Sequence, residues 1–543
     1  MSSVSGIVCS AETCFPLEQV QIEIIATTAG EQRSLESDVL GGWQIPDLNG
    51  EETIRFQKPG YVTKEYRAAE LPVKVRLLED QLIGYQLKLW FQPGETVEAF
   101  IHSPQKYSAW LCRHGETREQ IMTLGEFSPQ KQQVPDGNFV GSGLDWSKSI
   151  TYQLPSDARP GIYSLLLRSE GSDDFAIPFV VSTPPSERGK ASKLLVLAST
   201  NNWQTYNIWG GRSRYRNFEV NDSKEYGNFT LSYPRRLAVS ILQRMPLGLQ
   251  SIIRNTLKKL VRKDPPAWMR EKLSIKRPFT NCSLEEGDPS RPVTNHLAAG
   301  EWRLLSWLER EGYGYDIITG YELHHDRDPL CNYKAIILST HCEYWSPNMY
   351  EKLKEFHERH RGWILNISGN SIYREVDFFD DGSVRCTSLS FRDSCTDETQ
   401  LLGVRFTDSD YSTCAPYKIT DPTHWAFNNI PVSKSRLFGG LSLIQNTAKH
   451  TSRLDPGRPG AEGGLDGCGA SGWETDKLSK TAPKDIVTIA KGCNPYGGAD
   501  MVVREPNGER GGLFSASSLV FPGCLLIDNV ASMLLKNVLH RAL

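Results

Sequence analysis

Ser339-Thr-His341-Cys-Glu343-Tyr-Trp-Ser346 closes an apolar run, Ala335 to Leu338. Side chains of an extended chain alternate with period two, so His341 and Glu343 project to the same side. An imidazole beside a carboxylate can hold a metal ion or move protons; the plainer alternative is a satisfied histidine next to an ion-paired glutamate. Two other segments offer partners. Thr200-Asn-Asn-Trp-Gln-Thr-Tyr206-Asn-Ile-Trp-Gly-Gly-Arg-Ser-Arg-Tyr215 crowds aromatic, amide and glycine residues directly after an apolar run ending near Ala198. Asn366-Ile-Ser-Gly369-Asn370-Ser-Ile-Tyr373 follows Trp363 to Leu365; Gly369 permits close backbone approach and Asn370 both donates and accepts. Taken singly, the first also reads as a packed aromatic loop and the second as a plain strand-to-helix turn. Cys342 is a competing nucleophile, although its flanks lack the glycines of a sharp elbow.

The elements that must position these residues alternate apolar strands with amphipathic helices: Lys193 to Ala198, Glu301 to Glu311, Tyr315 to Thr319, Ala335 to Thr340, a helix from Pro347, and Trp363 to Ser368. That rhythm predicts an α/β domain over 193–543 with a mainly parallel sheet. Ser346 before Pro347 is a good helix start, because serine caps free N–H groups and proline fits the first turn. Ligands of open α/β sheets bind at the carboxyl ends of the strands, and parallel strands end at one edge, so Asn370 falls near His341 and Glu343.

Ahead of this domain, residues 1–80 and 83–184 each alternate apolar and polar positions in short runs punctuated by turns, which predicts two β-sandwich modules, the second immunoglobulin-like. Ser182 to Lys190 is polar and proline-containing, hence a linker. A chain of 543 residues accommodates about three domains. Two stretches stand apart. Between Arg235 and Arg277, twelve Lys/Arg face two acidic residues among regularly placed leucines and isoleucines; this basic insertion reads as helices with a solvated face or a surface for anionic partners. From Thr451 to Lys484 glycine, aspartate, proline and serine dominate, predicting a mobile surface loop.

Composition excludes several classes. With 39% apolar and 23% charged residues the chain is ordinary globular protein, and no apolar run reaches the ~18 residues that would span a bilayer. The amino terminus shows no secretion signal, so a cytoplasmic location is expected. Twelve cysteines without a CxxC pair argue against a structural zinc knuckle or a disulfide framework. A net charge of -3 gives no reason to expect nucleic acid as a partner.

The NWxxYNxWGG loop, the HxEYWS strand end, the SGNSIY turn, Asp421-Pro-Thr-His424-Trp425 and Gly511-Gly-Leu-Phe-Ser515-Ala-Ser-Ser518 occur in the order found in the large (beta) subunit of N,N-dimethylformamidases. From about Lys193 onward the chain resembles the C-terminal domain of that family. The front module, with Pro16-Leu before its second strand and Pro59-Gly-Tyr61 late, resembles a carboxypeptidase regulatory-like sandwich. The first resemblance implies a glutamine-amidotransferase-like α/β fold and a mononuclear iron held by two tyrosines and a glutamate. Carried over, Tyr206 and Glu343 become metal ligands, with His341 and Asn370 beside the metal and Glu505 a further catalytic carboxylate. Tyr233, in Leu231-Ser-Tyr233-Pro-Arg-Arg, either is the second tyrosine ligand or stands where the family has phenylalanine. Phenolate and carboxylate oxygens suit ferric iron, and three protein ligands leave positions open for an amide oxygen and water. The expected activity is hydrolysis of the C–N bond of a small N-substituted, formamide-like amide. A catalytically degenerate ligand- or partner-binding protein on the same fold is the alternative. A homo-oligomer and a small partner subunit are both compatible with this reading.

Overall fold

Alternating apolar positions in the first 80 residues become seven short strands. A computed structural model describes residues 2–25, 33–48, 50–218, 267–282, 284–387, 391, 397–411, 413–445 and 469–543. Ser2–Ser10 lies between Gly42–Leu48 and Lys74–Leu77 in one sheet, and Arg33–Glu36, Gln21–Ile25, Thr53–Gln57 and Lys64–Arg67 form the other. Val8, Ile22, Ile45, Ile54, Phe56 and Val75 meet between them in a core of their own.

The next stretch also forms two sheets. The larger orders Arg118–Phe127, Tyr107–His114, Gly161–Ser169, Phe175–Val181 and Trp90–Phe91; the smaller orders Ile150–Gln153, Thr96–His102 and Ile83–Gln86. The apolar run Tyr85 to Phe91 is divided between the two sheets. Leu87 to Leu89 crosses from one to the other, and Val180 N–H donates to the Leu89 carbonyl (2.9 Å) as the chain arrives.

A nine-stranded sheet organises the remainder. Its strands are β1 (Leu194–Ala198), β2 (Asp316–Thr319), β3 (Ala335–Thr340), β4 (Trp363–Ser368), β5 (Tyr417–Ile419), β6 (Leu437–Phe438), β7 (Val487–Gly492), β8 (Asp500–Arg504) and β9 (Leu513–Ser515). The order is β2-β1-β3-β4-β9-β8-β7-β5-β6. The first five are joined in parallel, and every pair from β9 onward is antiparallel. Parallel pairing therefore covers one half of the sheet, and the chain as a whole is β-rich. Helices α1 (Thr200–Tyr206), α2 (Ala298–Arg310), α3 (Gly320–His325) and α4 (Pro347–Glu358) belong to the parallel half, and α5 (Asn529–Ala542) closes the chain. Ser346 Oγ accepts from Met349 N–H at 3.2 Å with Pro347 in the first turn, the start that the sequence predicts for α4. β1, β3 and β4 are buried along their whole length, as strands covered on both faces must be.

Contacts tie α2 to the second pair of sheets. Trp302 Nε1–H donates to the Gly115 carbonyl (2.7 Å) and Arg113 meets Glu309 through Nη1 at 3.1 Å. Tyr233 and the basic positions up to Lys263 lie outside the described residues, as does most of the expected loop from Thr451. The described end of that loop is ordered. Ser471–Gly472 and Thr475–Leu478 are strands, the second antiparallel to Val404–Thr407, and Glu474, Thr475 and Asp476 are buried. Backbone pairing decides here over composition, because Asp476 N–H donates to the Ser517 carbonyl (2.9 Å) and Leu519 N–H to that of Glu474 (3.2 Å).

Candidate functional site

The carboxyl ends of β1, β3 and β4 converge, and each sends a loop into the same place. After β1, α1 ends on Tyr206. After β3, whose last residue Thr340 takes φ +50°, His341-Cys-Glu343 leads into a short strand, Tyr344–Trp345, which pairs with Arg374–Phe378. After β4, Gly369 and Asn370 turn the chain; Asn370 adopts φ +56°, the left-handed region that asparagine tolerates best after glycine. Gly369 is required here, since a Cβ would stand 2.4 Å from the Glu474 carbonyl oxygen.

Glu343 is wholly buried and forms the centre of the cluster. Tyr206 Oη donates to its Oε2 (2.9 Å), and Tyr215 Oη lies 2.6 Å from Oε1 and 2.8 Å from Oε2. The two phenol oxygens are 3.4 Å apart. His341 Nε2 stands 2.8 Å from Tyr206 Oη and 3.4 Å from Glu343 Oε2, and its Nδ1 faces the Gly369 carbonyl at 3.1 Å. That carbonyl can only accept, so Nδ1 carries a proton and Nε2 is the nitrogen free to exchange one. On one flank Arg374 Nε is 3.4 Å from Glu343 Oε1. On the other, Glu474 Oε2 accepts from Asn370 Nδ2 (2.8 Å) and lies 3.8 Å from His341 Nε2, while Asp476 Oδ1 accepts the Asn370 N–H (2.8 Å).

Electrostatics follow from this packing. Burial, reinforced by Glu343, pushes both phenols well above their ordinary range. Burial alone would lower His341, but the Glu474 and Glu343 carboxylates outweigh it and raise the imidazole. Burial would raise Glu343; the hydrogen bond and charge of His341, with Arg374 and Tyr215, outweigh it and lower the carboxyl. His296 closes the remaining side, its ring 5.0 Å from that of His341, 5.2 Å from that of Tyr206 and 4.5 Å from that of Trp473. Desolvation holds it well below its usual pKa, hence neutral. Several polar atoms around the cluster are buried without a partner: His296 Nε2, Asn370 Oδ1, Asn202 Nδ2 and Tyr344 Oη. Unsatisfied groups concentrated at one place are the pattern of a site built for something more than folding.

A family model described as N,N-dimethylformamidase beta subunit-like, C-terminal, matches residues 110–532. The chain belongs to this family. All the site residues fall inside the matched stretch, and residues 1–109 lie outside it. The N,N-dimethylformamidase beta subunit of Paracoccus aminophilus is 22% identical over 497 residues, covering 82% of this chain and 57% of that protein. The chain thus spans little more than half the length of this curated relative. Among solved structures, a cytoplasmic protein of Salmonella typhimurium aligns with TM-score 0.27 and 14% identity over 44% of this chain and 85% of that one. A DUF3823 family protein from Parabacteroides merdae aligns with TM-score 0.13 and 12% identity over 33% of this chain and 98% of that one.

Within this dimethylformamidase-like domain, Tyr206, His341, Glu343 and Asn370 come together. Glu505 does not join them. β8 runs antiparallel to β9 and its last residue pairs with Leu513, the first of β9, so Glu505 emerges at the opposite edge of the sheet and meets Arg541 at 3.2 Å. Besides Glu343, the carboxylate that faces His341 among the described residues is Glu474. Among the described residues, Tyr215 joins Tyr206 as a second tyrosine whose phenol oxygen lies against Glu343. Cys342 points into an apolar cluster with Leu338, Trp345 and Met349, and burial pushes its thiol up to about 12, leaving almost no thiolate at neutral pH.

Proposed function

We propose that this protein is an amidohydrolase that cleaves the C–N bond of a small N-substituted amide, with a mononuclear ferric iron held by Tyr206, Tyr215 and Glu343. The observation that carries the reading is the convergence of two phenol oxygens on one buried carboxylate, at 2.6 to 3.4 Å, in a chain of the dimethylformamidase family. Tyr206, Tyr215 and Glu343 would hold the ion, since their oxygens face one another within 3.4 Å at one buried point. Hard anionic oxygens favour the ferric state. When bound, the ion would act as a Lewis acid on the amide carbonyl and compensate the cost of holding phenolates in a buried site.

The chain's own groups account for the proton movements. Glu474, held by Asn370 Nδ2, accepts the proton of the attacking water. His341, with Nδ1 fixed on the Gly369 carbonyl, delivers a proton from Nε2 to the departing nitrogen, so that amide and water leave as acid and amine. His341 and Arg374 together keep Glu343 ionised. The five parallel strands, with ligating loops at their carboxyl ends, support the glutamine-amidotransferase-like assignment for 193–543, behind two sandwich modules at 1–80 and 83–184. A cytoplasmic enzyme that works with a small partner subunit is consistent with a relative designated a beta subunit.

Plasma mass spectrometry of the purified protein, together with a screen of N-substituted formamides and acetamides for amine release, tests this. Near-stoichiometric iron, lost in Tyr206→Phe and Glu343→Ala, is the expected result. Protein that takes up no metal after iron supplementation and releases no amine sinks it. That outcome favours the binding-protein reading, for which one observation speaks already: Tyr206, Tyr215, His341 and Glu343 satisfy one another by hydrogen bonds.

A further inference from the structure

The loop that carries Tyr215 is braced from outside the family domain. Gly210 N–H donates to the Glu12 carbonyl (2.7 Å), and Cys14 Sγ donates to the Gly210 carbonyl (3.3 Å), so both polar atoms of one glycine peptide are taken by a turn of the front module. Cys14 is itself held, with Arg76 Nη1 3.0 Å from its sulfur. The Arg76 backbone N–H donates to Asp136 Oδ1 (3.1 Å), and Lys64 and Tyr66 bind the same carboxylate. The fit is close, since a Cβ on Gly211 would stand 2.3 Å from Cys14 Sγ. Beyond the glycines, Phe218 N–H closes the loop on the Gly211 carbonyl (2.9 Å), and its ring packs on Phe15 at 5.0 Å. Between these two fixed ends lies Tyr215, pressed on Glu343.

We infer that the front sandwich is a positioning element of the site: the turn Glu12–Phe15 clamps Gly210–Gly211 and thereby sets the distance of Tyr215 from Glu343. Cys14 is the positioning residue at its centre. This rests on the reading of Tyr215 as a site residue. It assigns a mechanical role to residues that precede the family match, where an independent binding module was the natural expectation. A ligating phenol needs such support, because a displacement of about 1 Å at a reacting group costs on the order of a hundredfold in rate.

Hydrogen exchange on the full-length protein tests the clamp without requiring metal or substrate. In Cys14→Ala, amides of residues 208–216 are expected to exchange about tenfold faster or more, while strand Thr53–Gln57 keeps its protection; Cys14→Ser, which can still donate to Gly210 and accept from Arg76, stays near wild type. A second arm guards against general unfolding of the front module. Gly211→Ala, whose added Cβ would meet Cys14 Sγ at 2.3 Å, is expected to loosen the same amides while the front module stays protected, and combining it with Cys14→Ala, which breaks the same contact, is expected to add little further exchange. Unchanged exchange across 208–216 in Cys14→Ala, or fully additive increases in the double variant, overturns the inference. Iron content measured on the same samples keeps the two ideas apart. Wild-type protein without iron removes the metal reading while the exchange data still decide the clamp, and iron retained in Cys14→Ala despite faster exchange separates loop order from ligation.

Discussion

At the scale of single residues, a carboxylate with no solvent exposure and two phenols against it defines the chemistry. Tyr215→Phe removes one donor and leaves the rest of the loop in place; iron binding is expected to fall by at least tenfold and amide turnover with it, whereas Tyr233→Phe leaves both near wild type if Tyr215 is the ligand. Asn370 acts through Glu474, so Asn370→Ala should lower kcat by about 10 to 100-fold with a smaller change in KM, the range seen when an outer hydrogen-bond partner is lost. Glu505→Gln, at the far edge of the sheet, should leave steady-state rates within about twofold, while Glu474→Gln abolishes them. His341, Glu343 and Asn370 were legible because strand periodicity and a shared sheet edge place them together. Glu474 and Asp476 were not, since they sit in a glycine- and aspartate-rich stretch whose order comes from pairing with distant backbone. The misplacement of Glu505 had a readable remedy. Only eight residues separate Arg504 from Leu513, too few for a parallel crossover, so β8 had to be antiparallel and to end at the opposite edge.

At the scale of elements, α2 and the loop after α1 hold the site through buried charge. Glu301 of α2 accepts from Ser199 N–H (3.0 Å) and from Trp203 Nε1–H (2.7 Å), locking α1 to the sheet. Burial raises its carboxyl to about 7. The folded protein therefore keeps a proton that the unfolded chain releases near pH 4.5, and stability falls as pH rises from there to about 7, by up to ~1.4 kcal/mol per unit, then levels. Urea unfolding of wild type and Glu301→Gln across pH 5 to 8 should show this slope in the first and its absence in the second; parallel curves would refute the assignment. Arg277, with no exposed surface, laces the carbonyls of Gln204, Trp209 and Arg212 together. Arg277→Met should cost on the order of 3 kcal/mol, because several buried acceptors lose their donor at once. Its basic neighbours in sequence suggested a solvated face, and nothing in local charge marks Arg277 as an arginine that turns inward.

At the scale of the whole molecule, the sheets are coupled rather than strung on linkers. Glu309 of α2 receives Arg113 and the Glu116 N–H (2.9 Å), and Ser306 Oγ donates to the Glu116 carbonyl (2.9 Å). Glu309→Ala leaves the buried guanidinium of Arg113 with only the more distant Glu119 carboxylate (3.5 Å), and about 3 kcal/mol of destabilisation is expected, read as a lowered midpoint in thermal or denaturant unfolding. The alternation of strands and helices announced the parallel half of the central sheet. It could not announce that four strands would extend that sheet in antiparallel fashion, because short connections and short strands leave little periodic signal. The order of those strands bears on how the protein is made. β9, the last strand in the chain, lies in the middle of the sheet, joining β4 to β8. Until the ribosome has released residues 513–515, the parallel half ends at β4 and the antiparallel half at β8, each with an unpaired backbone edge open to neighbouring chains. Between the emergence of β8 and that of β9 a nascent chain therefore carries two facing open edges, and a product truncated between them keeps both unpaired and is prone to aggregate.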